Sequence, residues 1–378
     1  MSSASFEYID TQDGLDRLVG RLRNAPRLAV DTEADSLHHY FEKVCLIQLS
    51  FGKETVLVDP LAGLNFKAFF RELSEKPLIF HGAEYDLRML RASHKFRPKA
   101  EVFDTMIAAQ LVEGEARSLL TLADKYLGVT LTKSGQRSDW SKRPLTEKQL
   151  SYAANDTRYL ERIADRLAVD LEKLGRAAWH RQSCKRMVKA TGVEKPEPDP
   201  NRVWRIKGLS GMDRKQLAYV REIWRWRDAE AREVDLPPFK VMGNSLLLEL
   251  VEWATAGRRT PRNMPKLPRN LVGRRRETLD QAISRAASMS EEELPDFLRG
   301  GGYAPVEPGP ELDRLRAACD QIAEDLGLQS SLIASRKQLE AIALAKPTGR
   351  KQLQAEGHLM DWQADLLLPI VNRILNNV

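Results

Sequence analysis

The sequence predicts an α/β domain with a mixed sheet, followed by two small all-helical blocks. Three observations carry this reading. Apolar runs at 28–30, 44–51 and 55–58 are joined by short connections, so the strands pair as an antiparallel meander. Helical and strand patterns then alternate from Phe66 onward, which is the order of an α/β layer. Beyond the Pro-rich stretch Glu194-Lys-Pro-Glu-Pro-Asp-Pro-Asn, the periodicity is helical throughout.

Taken in order, Phe6-Glu-Tyr-Ile reads as a short strand. Thr11 to Arg23 reads as an amphipathic helix with Leu15, Leu18, Val19 and Leu22 on one face. The three meander strands are Leu28 to Glu33, Val44 to Phe51 and Thr55 to Asp59, followed by a helix near Phe66 to Leu73. Pro77 to His81 is a buried strand that runs into a helix, and Val102-Phe-Asp104-Thr opens a further helix through Leu111. From Ser118 to Leu174 the pattern is mostly helical, with a turn-rich break at Thr132 to Pro144, and Arg176 to Ala190 extends it. This order is compatible with an RNase H-like sheet. Three prolines in five residues disfavour helix, so the boundary falls there. The expected division is a first domain over 1–193, a Pro-rich linker over 194–202, a helical domain over 203–298, a Gly/Pro linker over 299–310 and a second helical domain over 311–378. The two helical blocks resemble each other faintly, through Val-Asp-Leu-Pro near Leu236 and Glu324-Asp-Leu-Gly in the later copy.

The 378 residues suffice for two or three domains, and 42% hydrophobic with 30% charged residues indicates a globular protein in water. Lys and Arg number 59 against 53 Asp and Glu, a net +6, so the placement of charge matters more than its sum. Cys45, Cys184 and Cys319 match no zinc or disulfide spacing, which points to a reduced cytoplasm. The N-terminus lacks a signal pattern and no apolar run reaches the ~18 residues of a membrane span, so no membrane association is expected. No Ser-His-Asp arrangement or Walker loop is found.

The chemistry starts at Leu28-Ala-Val-Asp31-Thr-Glu33. Residues i and i+2 of a strand share a face, so Asp31 and Glu33 stand side by side. Paired anions raise each other's pKa unless a cation lies between them, and oxygen ligands suit Mg²⁺ or Mn²⁺. A second site is His81-Gly-Ala-Glu-Tyr-Asp86, where the strand end places Asp86 in the first turn of a helix. Glu84 competes for the role, and the helix dipole alone would favour either acid there. The third is Tyr152-Ala-Ala-Asn-Asp156, four residues apart and hence on one helical face. Tyrosine is a poor free base at neutral pH, so orienting a water is its easier role. Four carboxylates from separate elements can hold two divalent ions ~3.5–4 Å apart, an arrangement that suits in-line attack on a phosphodiester.

With these motifs in place, the sequence resembles the DEDDy 3′→5′ exonucleases and, among them, the ribonuclease D family. The matching segments are Val30-Asp-Thr-Glu with Cys45-Leu-Ile-Gln-Leu behind it, His81-Gly-Ala-Glu-Tyr-Asp-Leu, Trp140-Ser-Lys-Arg-Pro-Leu-Thr and Gln149-Leu-Ser-Tyr-Ala-Ala-Asn-Asp-Thr-Arg-Tyr-Leu. They cover the first domain, and the helical blocks look like the HRDC domains of that family. The resemblance implies that Asp31, Glu33, Asp86 and Asp156 bind two Mg²⁺ or Mn²⁺ ions and that Tyr152 orients or activates water. It also implies a metal-dependent 3′→5′ exoribonuclease that releases nucleoside 5′-monophosphates from single-stranded RNA 3′ ends, with tRNA precursors as the expected substrate. No obligate protein partner is expected. The alternatives are a DNA-directed 3′→5′ exonuclease and a catalytically silent RNA-binding protein. Asp104 also matches a family position, although capping the following helix explains it. After Glu33 the run Ala34-Asp-Ser-Leu37-His38-His39 departs from the aromatic and Arg-bearing family pattern, which puts contacts to the terminal nucleotide in doubt there.

Candidate RNA contacts are Leu37 and His38 in that run, and Arg143 in the break before Leu150. Residues 257–276 hold eight basic side chains and no acid, among them Arg258, Arg259, Arg274, Arg275 and Arg276, a plausible track for phosphates. A solvated basic face is the plain alternative. Trp204, Trp224 and Trp226 sit beside Arg at helical spacing, and core packing is their expected use rather than base stacking.

Overall fold

A computed structural model describes residues 5–132, 135–193, 197, 199–256, 264–267, 271, 273–296 and 309–376. In chain order the first elements are β1 (Glu7–Ile9), α1 (Gln12–Leu22), β2 (Leu28–Ala34), β3 (Val44–Phe51), β4 (Glu54–Val58), α2 (Lys67–Ser74), β5 (Leu78–Phe80), α3 (Glu84–His94) and β6 (Val102–Asp104). Five helices follow: α4 (Thr105–Glu113), α5 (Leu119–Leu127), α6 (Glu147–Arg158), α7 (Leu160–Lys173) and α8 (Ala177–Thr191). The remainder is α9 (Arg214–Glu233), α10 (Pro238–Val241), α11 (Asn244–Thr255), α12 (Arg274–Ser288), α13 (Pro310–Leu326), α14 (Ser330–Ile333), α15 (Arg336–Ala345), α16 (Arg350–Gly357) and α17 (Asp361–Val371). Among the described residues no helix is long and apolar enough to cross a membrane.

The six strands form one mixed sheet in the order β1-β4-β3-β2-β5-β6. The expected meander is present, with β2, β3 and β4 antiparallel, while β1, β5 and β6 join in parallel. β6 corrects the sequence reading, which gave Val102 to Asp104 to the start of a helix. Three residues are too few to show a period, and pairing with β5 decides the matter. Asp104 ends the strand and caps α4, its Oδ1 accepting from Met106 N at 2.8 Å.

β3 is buried along its whole length, as a strand covered on both faces must be, and so reads as a nearly unbroken apolar run. One face of the sheet packs Val30, Ile47 and Leu49 against Leu15, Leu18 and Leu22 of α1, Phe69 of α2 and Leu87 of α3. On the other face, Leu46 meets Ala153 and Ala154 of α6, and Ala29 and Ile79 meet α4, α5 and α7.

Contacts divide the chain into two units, one of Met1–Ala34, Lys43–Glu194 and Pro305–Val378, the other of Asp35–Glu42 and Lys195–Ala304. In the first, the cluster around Ala29 and Ile79 continues without a break into Leu315, Cys319, Leu353 and Leu367 of α13 to α17. Trp179 of α8 stacks on Trp362 of α17 at 4.7 Å and 13°. Arg176 is buried and donates to Leu111 O at 2.6 Å and Leu326 O at 2.5 Å, near the carboxyl ends of α4 and α13. Gly114, at φ +82°, passes so close to Gly327 that a Cβ would sit 2.5 Å from its carbonyl oxygen.

In the second unit Trp204, Trp226, Leu247, Leu250 and Ile283 form a separate core, with Trp224 packed against it. Packing is therefore what these tryptophans do, and Trp226 Nε1 donates to Thr278 Oγ1 at 2.9 Å. Segment Asp35–Glu42 belongs to this unit. Asp235 Oδ1 accepts from Tyr40 N at 3.0 Å and Phe41 N at 3.1 Å, while its Oδ2 lies 2.7 Å from His39 Nδ1. Tyr40 Oη donates to Asp228 at 2.9 Å.

Candidate active site

β2 is a central strand, and its C-terminal half carries Asp31 and Glu33 toward the α6 face of the sheet. A register shift between Glu33 and Ala34 ends its regular pairing with β3 just beyond them. α6 starts with a capping box from Thr146 and Gln149, which fixes where Tyr152 and Asp156 fall on the helix. Asp31, Glu33 and Asp156 each offer a carboxylate oxygen, and these atoms all lie within 4.8 Å of one another. Asp86 is not in that trio. It sits in the first turn of α3 and is 6% exposed, with Oδ1 accepting from Thr32 N at 3.0 Å and Thr32 Oγ1 at 2.6 Å. Thr32 thus ties the third acid to the strand bearing the first two, a link that the sequence did not reveal.

The electrostatics follow from this crowding. Burial, and then the charges of Asp86, Asp156 and Glu33, hold the Asp31 carboxyl well above the usual carboxylate range. Burial followed by Asp156 and Asp86 does the same to Glu33. Asp86 and Asp156 are each pushed up to about 7, mainly by burial, while hydrogen bonds from Thr32 and from Tyr152 respectively pull the other way. Among the described residues no Lys or Arg pairs with any of the four. Closely packed oxygen donors without a protein cation are the chemistry of a hard divalent site, so the residues present fit such an ion. An ion entering the site displaces protons, so its apparent affinity rises as pH rises through the range in which these raised carboxyls titrate.

Tyr152 donates to Asp156, and its own pKa is raised by burial, then by Asp156, Glu33 and Asp31. The phenol therefore stays protonated at neutral pH and leaves its oxygen lone pairs to accept from a water. Its ring lies 6.2 Å from that of Trp140. Gly135 backs it so closely that a Cβ there would come within 2.5 Å of the ring, an approach not foreseen from the sequence. His81 follows β5 directly, with Nδ1 2.9 Å from Thr105 Oγ1.

The remaining candidates are dispersed. Leu37 is 45% exposed, and His38 Nδ1 lies 3.1 Å from Lys240 Nζ. Arg143 has other work: Nε and Nη2 grip Asp59 at 2.6 and 2.7 Å, and Nη1 and Nη2 also donate to the carbonyls of Trp140, Lys142 and Cys45. Its guanidinium thus clamps the loop before α6 to β3 and the end of β4 rather than standing ready for phosphate. Arg274 pairs with Glu233, Arg275 with Glu230 at 3.3 Å and Arg276 with Asp280 at 2.9 Å. Arg258 and Arg259 lie outside the described residues.

A mixed six-stranded sheet with acids converging on its central strand is the arrangement that the resemblance to 3′-5′ exonucleases implied. The family model described as 3′-5′ exonuclease matches residues 6–172, and the HRDC domain model matches 216–263. Ribonuclease D of Xanthomonas oryzae pv. oryzae is 30% identical over 341 residues, spanning 86% of this chain and 89% of that protein. A solved protein from Bifidobacterium adolescentis is similar at TM-score 0.82 and 25% identity, covering 98% of this chain and 97% of its own. The Escherichia coli RNase D structure, described as that of an exoribonuclease involved in structured RNA processing, has the same fold at TM-score 0.71, with 24% identity and 99% of both chains covered. The chain belongs to the ribonuclease D family and is an exonuclease, a hydrolase.

Proposed function

We propose that this exonuclease hydrolyses single-stranded RNA from the 3′ end, releasing nucleoside 5′-monophosphates, and that tRNA precursors are its substrates. The observation that carries the reading is the convergence of Asp31, Glu33 and Asp156 within 4.8 Å. In this reading those three and Asp86 hold two Mg²⁺ or Mn²⁺ ions. When bound, the ions supply Lewis-acid stabilisation of the charge that develops on phosphate. Water adds across the terminal P–O3′ bond, the freed nucleotide keeps the phosphate, and the shortened strand ends in a 3′-hydroxyl. Tyr152, protonated and bonded to Asp156, orients that water by accepting one of its hydrogens.

Leu37, His38 and the arginines at 258, 259 and 274–276 are the proposed RNA contacts. The pairs made by Arg274 and Arg276 are exposed and worth little, so phosphate competes with them readily. The linear division at 194–202 and 299–310 remains our proposed domain plan. Three buried free cysteines support a reducing cytoplasm as its location.

The deciding experiment compares matched single-stranded RNA and DNA in Mg²⁺, with Asp156→Ala as control. RNA should be degraded faster, and the variant should lose hydrolysis while still binding RNA. A clear preference for DNA sinks the RNA assignment, and an active variant sinks the site.

A further inference from the structure

Gln48 stands in the middle of β3 with 0% exposure, yet among the described residues neither its Nε2 nor its Oε1 has a hydrogen-bond partner. A buried amide left this way is destabilising, and folded proteins keep few such groups. Its surroundings indicate what it serves. Gln48 is directly opposite Asp31 in the antiparallel register. Opposed residues share a face of the sheet, with Cβ atoms roughly 4.5–5.5 Å apart. Two residues before it, Leu46 packs with Ala153 and Ala154 of α6. Two residues after it, Ser50 Oγ lies 2.8 Å from Thr157 Oγ1 of the same helix. Gln48 therefore lies beneath the helix that bears Tyr152 and Asp156 and beside the first acid of the site. An amide supplies both a donor and an acceptor, whereas the carboxylates around it, once ionised, offer acceptors only.

We propose that Gln48 is a positioning residue of the acidic site, its carboxamide orienting the Asp31 carboxylate and completing the divalent-cation site from the floor of the sheet. This rests on the divalent-dependent reading given above. A ligating carboxylate needs its outer lone pairs held if it is to present one oxygen in a fixed direction, and the Gln48 amide, opposite Asp31 in the register and with its own donor and acceptor unused, is the group assigned to that task. Leu46, two residues away on the same face, packs against Ala153 and Ala154, so this face of the strand accepts hydrocarbon and the fold itself does not require an amide here.

The test uses the full-length protein with Gln48→Met, and Gln48→Leu as a second apolar variant. Mn²⁺ binding is measured by calorimetry, and thermal melting is followed in chelator without metal. The dissociation constant for Mn²⁺ should rise about tenfold or more, the usual loss when an outer-shell partner is removed. The metal-free Tm should stay level or rise, because the unpartnered amide is gone. Unchanged Mn²⁺ affinity overturns the proposal. So does a metal-free Tm lower by several degrees, or failure of both variants to fold, since either makes the amide a structural partner. If the wild-type protein itself binds no Mn²⁺, the divalent reading falls with it. Wild-type binding matched by the variants removes only the role of Gln48.

Discussion

The two helical blocks run through the same order of elements, a long helix, a four-residue helix and a third of ten or twelve residues, in α9–α10–α11 and again in α13–α14–α15. Their packing differs. The first closes on Trp204, Trp226 and Leu250 as a core of its own, whereas the second shares one continuous core with the nuclease sheet. Similar local patterns thus yield a self-contained domain in one case and a cover for another domain's core in the other. The difference lies in what each apolar face meets, and Trp179, Arg176 and Gly114 are the nuclease side of that meeting.

The largest break in this comparison is truncation. Ending the chain before Gly309 uncovers the cluster around Leu122, Leu160 and Leu167, and the shortened protein should lose its cooperative melt by circular dichroism. Residues 199–296 produced alone should still melt cooperatively. A truncated chain with the wild-type midpoint would refute the shared core. A milder probe is Arg176→Met, which leaves two helix-terminal carbonyls without their charged donor. It should cost roughly 3 kcal/mol in denaturant unfolding, and a loss below a tenth of that would mean that the guanidinium is incidental.

Two smaller effects concern the first block. Asp235→Ala removes the acceptor for Tyr40 N and Phe41 N, worth about 1 kcal/mol apiece at most. Protease cleavage within 35–42 should quicken while the global Tm moves little, and an unaltered cleavage rate would show that the segment is held otherwise. Replacing Arg274, Arg275 and Arg276 together by Ala should lower the salt slope of RNA binding by about 1 for each phosphate that is no longer neutralised. An unchanged slope returns these residues to a solvated, ion-paired face.

Much of this was legible beforehand because it is local. The apolar face of α1, the meander, the first-turn position of Asp86 and the shared face of Tyr152 and Asp156 follow from spacing and residue type within a few positions. β6 escaped because three residues carry no period, and the pairing of Arg143 was not legible because Asp59 is 84 positions away. Gln48 stood in a quoted motif, and a polar residue inside a fully buried strand was the signal available.

From sequence alone came most of the element types and the candidate carboxylates, since periodicity and ligand chemistry are properties of neighbouring residues, while the family resemblance chose Asp86 over Glu84. The tertiary structure alone decided that Thr32 anchors Asp86, that Gln48 faces Asp31, that segment 35–42 joins the first helical block and that the second block completes the nuclease core. Each of these is a pairing across long stretches of chain. Which apolar face or polar group meets which is fixed by the mutual burial of distant segments, and no local pattern encodes that.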